Sequence, residues 1–240
     1  MNYRNLLIVT TGRTGSTLLM GVLNSLPGVL IRGENHNFCF GLHLAHRALG
    51  LVKEVPRRAW GPLTPFYGAK HLDPEAFMND ARALVRRQIL AGDAAQCWGF
   101  KEIRYTPREL AHSGQYALAP YLDFLDALFE KPLFVFLTRD MDEIADSQWW
   151  KTFPREDVIR ELSGFLDAAR RWSSGRDNVC WLDYRNIVAR DATFRNLFAT
   201  LGAPYDEARI EHAMGEEYSW GNKRSNVAHT RARDLDGDLP

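Results

Sequence analysis

Cysteine is scarce: Cys39, Cys97 and Cys180 are the three in 240 residues, and they lie far apart. An odd, unclustered set builds neither a disulfide framework nor a zinc site. A reducing compartment follows, and we expect a cytoplasmic protein. An excess of one charge is missing too. Thirty Lys and Arg balance thirty Asp and Glu. That argues against a general nucleic-acid binder, which is basic overall, but leaves room for a local cationic pocket. The opening apolar run is far short of the ~20 residues a membrane-spanning helix needs. It also lacks the small-residue cleavage site of a secretory leader. We therefore expect no transmembrane segment. Internal repeats and low-complexity tracts are absent. A hydrophobic share of 45% with 25% charged residues is that of a globular chain. No metal-ligating cluster stands out, and the reading below uses no metal.

The pattern alternates strands with helices. "NLLIVTT" (residues 5–11) is a short apolar run that ends in a Gly/Thr/Ser cluster. Leu18, Leu19, Val22, Leu23 and Leu26 then recur at helical spacing. Pro27 and Gly28 break that helix before a second strand, "VLIRGE". A helical stretch over 38–52 is followed by aromatics and three prolines. Together, residues 35–72 read as a long irregular segment. Asp73 with Pro74 is a helix cap followed by proline in the first turn. "QCWGFKEI" reads as a buried strand and 116–130 as a helix whose start Pro120 limits. "PLFVFLTRD" is a continuous apolar strand of the kind that a doubly covered parallel sheet contains. Helices over 141–151 and 155–172, a strand over 178–184 and a helix ending at Gly202 complete the series. From about residue 215 the chain is polar and without period. This predicts one domain, 1–240, with a parallel sheet between two helical layers. Ligands in such sheets sit beyond the carboxyl ends of the strands.

Three chemistry-bearing clusters fall at such strand ends. In "TTGRTGST" small residues let the backbone approach an anion, and free N–H groups at the helix start face it. Arg13 adds a fixed cation, and Thr14, Ser16 and Thr17 add hydroxyls. The spacing of Gly12 and Gly15 and the missing lysine exclude a Walker A loop. An ordinary capped turn is the other reading of these residues. The second cluster places Arg139 at a strand end and Ser147 two turns into the next helix. Read alone, these fit a surface ion pair and a solvent-facing serine equally well.

Gly12-Arg13-Thr14-Gly15-Ser16-Thr17 resembles the 5′-phosphosulfate loop of sulfotransferases, commonly P-[KR]-[ST]-G-[ST]-T, with Gly12 in place of proline. Those enzymes use 3′-phosphoadenosine 5′-phosphosulfate (PAPS) and release 3′-phosphoadenosine 5′-phosphate (PAP). The family also holds the 3′-phosphate with a strand-end Arg and a Ser eight residues later, the spacing of Arg139 and Ser147. The resemblance covers roughly residues 5–202 and implies a P-loop-like nucleotide-binding architecture. Its motif style is that of tyrosylprotein and carbohydrate enzymes. A last donor loop of the K-G-x-x-G type is not evident; Lys223 and Arg224 could close over the adenosine or be solvated tail charges.

Sulfuryl transfer needs a base for the acceptor hydroxyl and cations for the charge that develops. "IRGENHNF" resembles the family segment whose Glu is the base, which assigns that role to Glu34; a helix-capping Glu is the alternative. His36, and less directly His71, are further base candidates because His titrates near neutral pH. His71 and Arg104 are possible acceptor contacts. Lys101 is either a stabiliser of the transferred group, with Arg13, or one half of a salt bridge. The acceptor side lies in 35–72, whose aromatics and amides suit a carbohydrate or glycoconjugate hydroxyl. Trp149 and Trp150 read as packing residues. A P-loop kinase and a non-catalytic nucleotide-binding module are the rival functions.

Overall fold

The computed structural model describes residues 1–216. The polar tail, with Lys223 and Arg224, lies outside the described residues. In chain order the main elements are β1 (Asn5–Thr10), α1 (Ser16–Asn24), β2 (Val29–Arg32), α2 (Phe38–Glu54), α3 (Pro74–Val85) and β3 (Cys97–Glu102). A small hairpin of β4 (Ala111–His112) and β5 (Gln115–Tyr116) follows, then α4 (Leu118–Leu128), β6 (Pro132–Thr138), α5 (Met141–Ala145) and α6 (Arg155–Ser173). The series ends with β7 (Val179–Asp183), α7 (Tyr184–Ala189), α8 (Ala192–Leu201) and α9 (Glu207–Gly215). No described helix is long and apolar enough to cross a membrane.

Five strands form one parallel sheet in the order β2-β3-β1-β6-β7. Strand alternation divides the core into two layers. Leu7, Val9, Phe100, Phe134 and Phe136 face one way and pack with Tyr121, Phe165 and Trp172. Leu6, Ile8, Leu133, Val135 and Leu137 face the other way and pack with Leu19, Leu23, Phe194 and Phe198. The first layer is aromatic: Phe136 stacks on Trp181 at 4.7 Å and Phe134 meets Trp172 edge-on at 4.9 Å. The second is mainly aliphatic at the sheet. With both faces covered, β1 and β6 are buried almost throughout, which explains their unbroken apolar runs. A β-carbon on Gly99 would lie 1.8 Å from the Leu6 carbonyl oxygen, so β3 can pass β1 there only as glycine.

The predicted Asp73 cap is present, and Asp140 caps α5 in the same way. The Asp73 carboxylate accepts the N–H groups of Glu75 and Ala76, and that of Asp140 accepts those of Asp142 and Glu143. The helical stretch expected within 35–72 is present as α2, which buries Cys39, Phe40 and His43. One expectation needs correction. Ser147 is not two turns into a helix. α5 stops at Ala145, and the chain turns through a left-handed Gln148 (φ 41°) into a 3-10 segment that buries Trp150. The β4–β5 hairpin, turning at Ser113 and Gly114 with φ 52° and 72°, was not expected.

Candidate active site

The loop from β1 to α1 is built by two left-handed residues, Arg13 (φ 73°) and Gly15 (φ 83°). Gly15 is the N-cap of α1 and supplies no side-chain acceptor. The N–H groups of the first helical turn, at Ser16 and Thr17, therefore have no partner within the helix and open onto a cleft of about 740 Å³. A β-carbon on Gly15 would come within 2.4 Å of the Tyr184 ring. Thr14 faces inward. Its buried hydroxyl lies 2.7 Å from that of Thr10 and donates to the Thr11 carbonyl, so it staples the loop to β1. Thr10 in turn donates to the Leu137 carbonyl at 2.6 Å, fixing the end of β1 against the end of β6.

That tie brings the second cluster to the first. Arg139 follows β6, and its guanidinium donates to the Arg13 carbonyl at 3.2 Å and to Glu143 at 2.7 Å. It also lies over the Tyr184 ring, 4.7 Å from the centroid. Arg13 donates through Nε to the Ser147 hydroxyl at 3.0 Å. The two motifs read separately in the sequence thus meet around one loop. At Gly12 a β-carbon would lie 2.8 Å from the Trp149 ring. Trp150 is buried as expected, but Trp149 is 40% exposed and lines the cleft, which corrects its reading as a packing residue.

The acid–base candidates gather at the ends of β2 and β3. Lys101 is buried, and its Nζ donates to Glu34 Oε1 at 2.6 Å. Arg104 reaches Glu34 Oε2 at 3.2 Å. Partial burial by itself pushes the Glu34 carboxyl up, but the Lys101 hydrogen bond and charge, joined by Arg104, outweigh it. The carboxyl is held below its ordinary value of 4.5 and stays ionised. Both sequence readings of Lys101 therefore meet in one contact, since its salt-bridge partner is the candidate base itself.

Gly12, Arg13, Gly15, Ser16, Thr17, Glu34, Lys101, Arg104 and Arg139 all line the same cleft. His36 and His71 are exposed and do not line it. Sequence reasoning missed Tyr184, Glu109 and Trp149 in the wall. Tyr184 could have been found, because it follows the carboxyl end of β7. The others arrive through tertiary turns that leave no local pattern.

A model of the Sulfotransferase family matches residues 5–207. A search of curated proteins gives no match. Among solved structures, a sulfotransferase domain from the curacin biosynthetic pathway aligns with a TM-score of 0.54 at 13% identity, over 92% of this chain and 81% of that one. A sulfotransferase from Mycobacterium avium gives 0.42 at 14% identity, over 89% and 67%. Retinol dehydratase, solved with androsterone and the inactive cofactor PAP, gives 0.38 at 14%, over 88% and 63%. The family match runs from the first residue of β1 to the first of α9, and the chain belongs to the sulfotransferase family.

Proposed function

We propose that this enzyme transfers a sulfuryl group from PAPS to the hydroxyl of a carbohydrate or glycoconjugate. The observation that carries the reading is the meeting of the Gly12–Thr17 loop, Arg139 and the Glu34–Lys101 pair in one cleft. The residues fit such a donor. The unpartnered N–H groups of α1, the hydroxyls of Ser16 and Thr17 and the Arg13 guanidinium suit its 5′-phosphosulfate. Gly15 leaves room for the Tyr184 ring against the loop. Arg139, with Ser147, suits its 3′-phosphate. When bound, the donor supplies the sulfuryl group and keeps the electron pair of the broken S–O bond on its phosphate oxygen.

Glu34 takes the acceptor's hydroxyl proton. Lys101 and Arg104 hold its carboxylate ionised and ready. The charge balance then does useful chemistry. Lys101 and Arg104 offset Glu34 and Glu102 at rest. Once Glu34 is protonated, Lys101 has lost its counter-charge and directs its Nζ at negative charge building nearby. Arg13 does the same from the loop side. The exposed indole of Trp149, beside Gln148 and Glu109, offers the aromatic face and polar neighbours that suit a sugar ring. Three unpaired thiols fit a reducing, cytoplasmic setting.

The test is calorimetric binding of PAP without metal, beside adenosine 5′-phosphate and ATP with magnesium, followed by an acceptor screen. PAP binds selectively, and Glu34→Gln keeps that binding while losing roughly 10²–10⁴-fold in turnover. Preference for ATP with magnesium overturns the donor assignment, and unchanged turnover in Glu34→Gln overturns the base.

A further inference from the structure

Glu102 ends β3, adjacent to Lys101, and its side chain is fully buried. A buried carboxylate is costly unless its lone pairs are occupied. Four donors occupy them here. Oε2 accepts the backbone N–H groups of Asn35 and Asn37 at 3.1 and 3.0 Å. Oε1 accepts the Ile103 N–H at 2.9 Å and the Arg104 guanidinium at 2.8 Å. Two of these donors belong to the turn that directly follows Glu34. The same Arg104 nitrogen also reaches Glu34 at 3.2 Å. The Asn37 side chain then donates to the Arg104 carbonyl at 2.8 Å, closing the ring.

This turn needs an anchor. β2 stops at Arg32, and a β-carbon on Gly33 would meet nothing within 4 Å. His36 and Asn37 both sit in the left-handed region, at φ 54° and 56°, where non-glycine residues carry strain. Glu34 therefore stands between an unconfined glycine and two strained residues. Lys101 grips only the tip of its side chain through a flexible stem, whereas Glu102 grips the backbone behind it. A reacting group has to be held within about 0.5 Å of its productive place.

We propose that Glu102 is a positioning residue for sulfuryl transfer, fixing Glu34 through the Asn35 and Asn37 backbone and through Arg104. The inference rests on Glu34 being the base. The charged and titratable groups around Glu34 are Lys101 and Arg104 from the end of β3, Glu102 behind them and His36 on its own turn, with Glu109 facing Arg104.

The experiment is steady-state kinetics of Glu102→Gln against pH, with PAP binding and melting temperature alongside. Glutamine keeps the size, but its amide nitrogen cannot accept, so only one oxygen remains for the four donors. kcat falls about 10–100-fold, as a misplacement on the order of 1 Å costs, while PAP affinity stays within about twofold of the parent. The acid limb of kcat/KM moves to lower pH, because Glu34 then faces Lys101 and Arg104 with no competing carboxylate. Arg104→Gln removes a cation instead; it also lowers kcat and moves the limb to higher pH. That variant carries the test if Glu102→Gln does not fold. A folded Glu102→Gln protein with kcat within about twofold of the parent and an unmoved limb overturns the proposal; so does Arg104→Gln with both unchanged. Glu34→Gln separates the two levels. If it retains turnover, the base assignment fails and this proposal with it. If it is inactive while Glu102→Gln behaves like the parent, the positioning role alone fails.

Discussion

Gly15→Ala puts a number on the nucleotide loop. Two costs arise at once. The residue sits at φ 83°, and left-handed backbone costs a residue with a β-carbon about 1–2 kcal/mol. The new methyl would also lie 2.4 and 2.7 Å from two Tyr184 ring carbons, where about 3.5–4.0 Å is comfortable. The ring has Arg139 over it at 4.7 Å, so moving it disturbs a second contact. Overpacking of this kind costs about 1–3 kcal/mol, which makes the total about 2–5 kcal/mol. The protein can carry that cost in two ways. If the loop keeps its shape, stability falls, and at about 2–4 °C per kcal/mol the melting temperature drops by roughly 4–20 °C. If the loop relaxes, PAP binding weakens by about thirtyfold or more, at about 1.4 kcal/mol per tenfold. Differential scanning calorimetry and titration calorimetry on one preparation see both. In a Tyr184→Ala background only the backbone part remains, so the same substitution becomes about 1–3 kcal/mol milder. A melting temperature within about 2 °C of the parent, together with PAP affinity within about threefold, would refute the reasoning.

Two further outcomes follow from the same contacts. Arg139→Ala should weaken PAP binding far more than adenosine 5′-phosphate binding, measured by calorimetry; equal losses would contradict its assignment to the 3′-phosphate. Lys101→Met removes the cation that holds Glu34 below 4.5, so the acid limb of kcat/KM should shift to higher pH. The same contact makes a stability statement. A carboxyl lowered in the folded state contributes stability above its unfolded value and loses it as pH falls through the folded one. Acid unfolding of Lys101→Met should therefore lose that contribution, and a parent-like acid profile in both assays would sink the ion-pair account.

The sheet was legible because its logic is local. β1 and β6 are apolar without interruption, and each ends in a cluster of small or charged residues. The loop was legible because glycine, hydroxyl and arginine spacing is itself the signal. Ser147 was misplaced for the opposite reason. Local periodicity favoured a continuing helix, but burial of Trp150 and docking of Trp149 against Gly12 turn the chain at Gln148, and neither leaves a mark at short range. Glu102 was visible as a residue but not as an anchor. Two of its four partners are backbone N–H groups more than sixty positions away, and backbone donors have no sequence signature. His36 and His71 drew attention through their chemistry alone, and the folded chain leaves both exposed.

The strand order has a consequence for how such a chain can change. β1 is the middle strand, and the groups we assign to proton transfer all come from the β2–β3 side, within one uninterrupted stretch from Glu34 to Arg104. Arg139, Glu143 and Tyr184 come from the β6–β7 side, later in the chain. A seam in space is therefore also a seam in the gene. Two crossovers, one in β2 and one before α4, exchange the whole proton-transfer group as a single cassette, while the nucleotide contacts and the Trp149 indole, encoded on either side of it, pass through recombination unaltered.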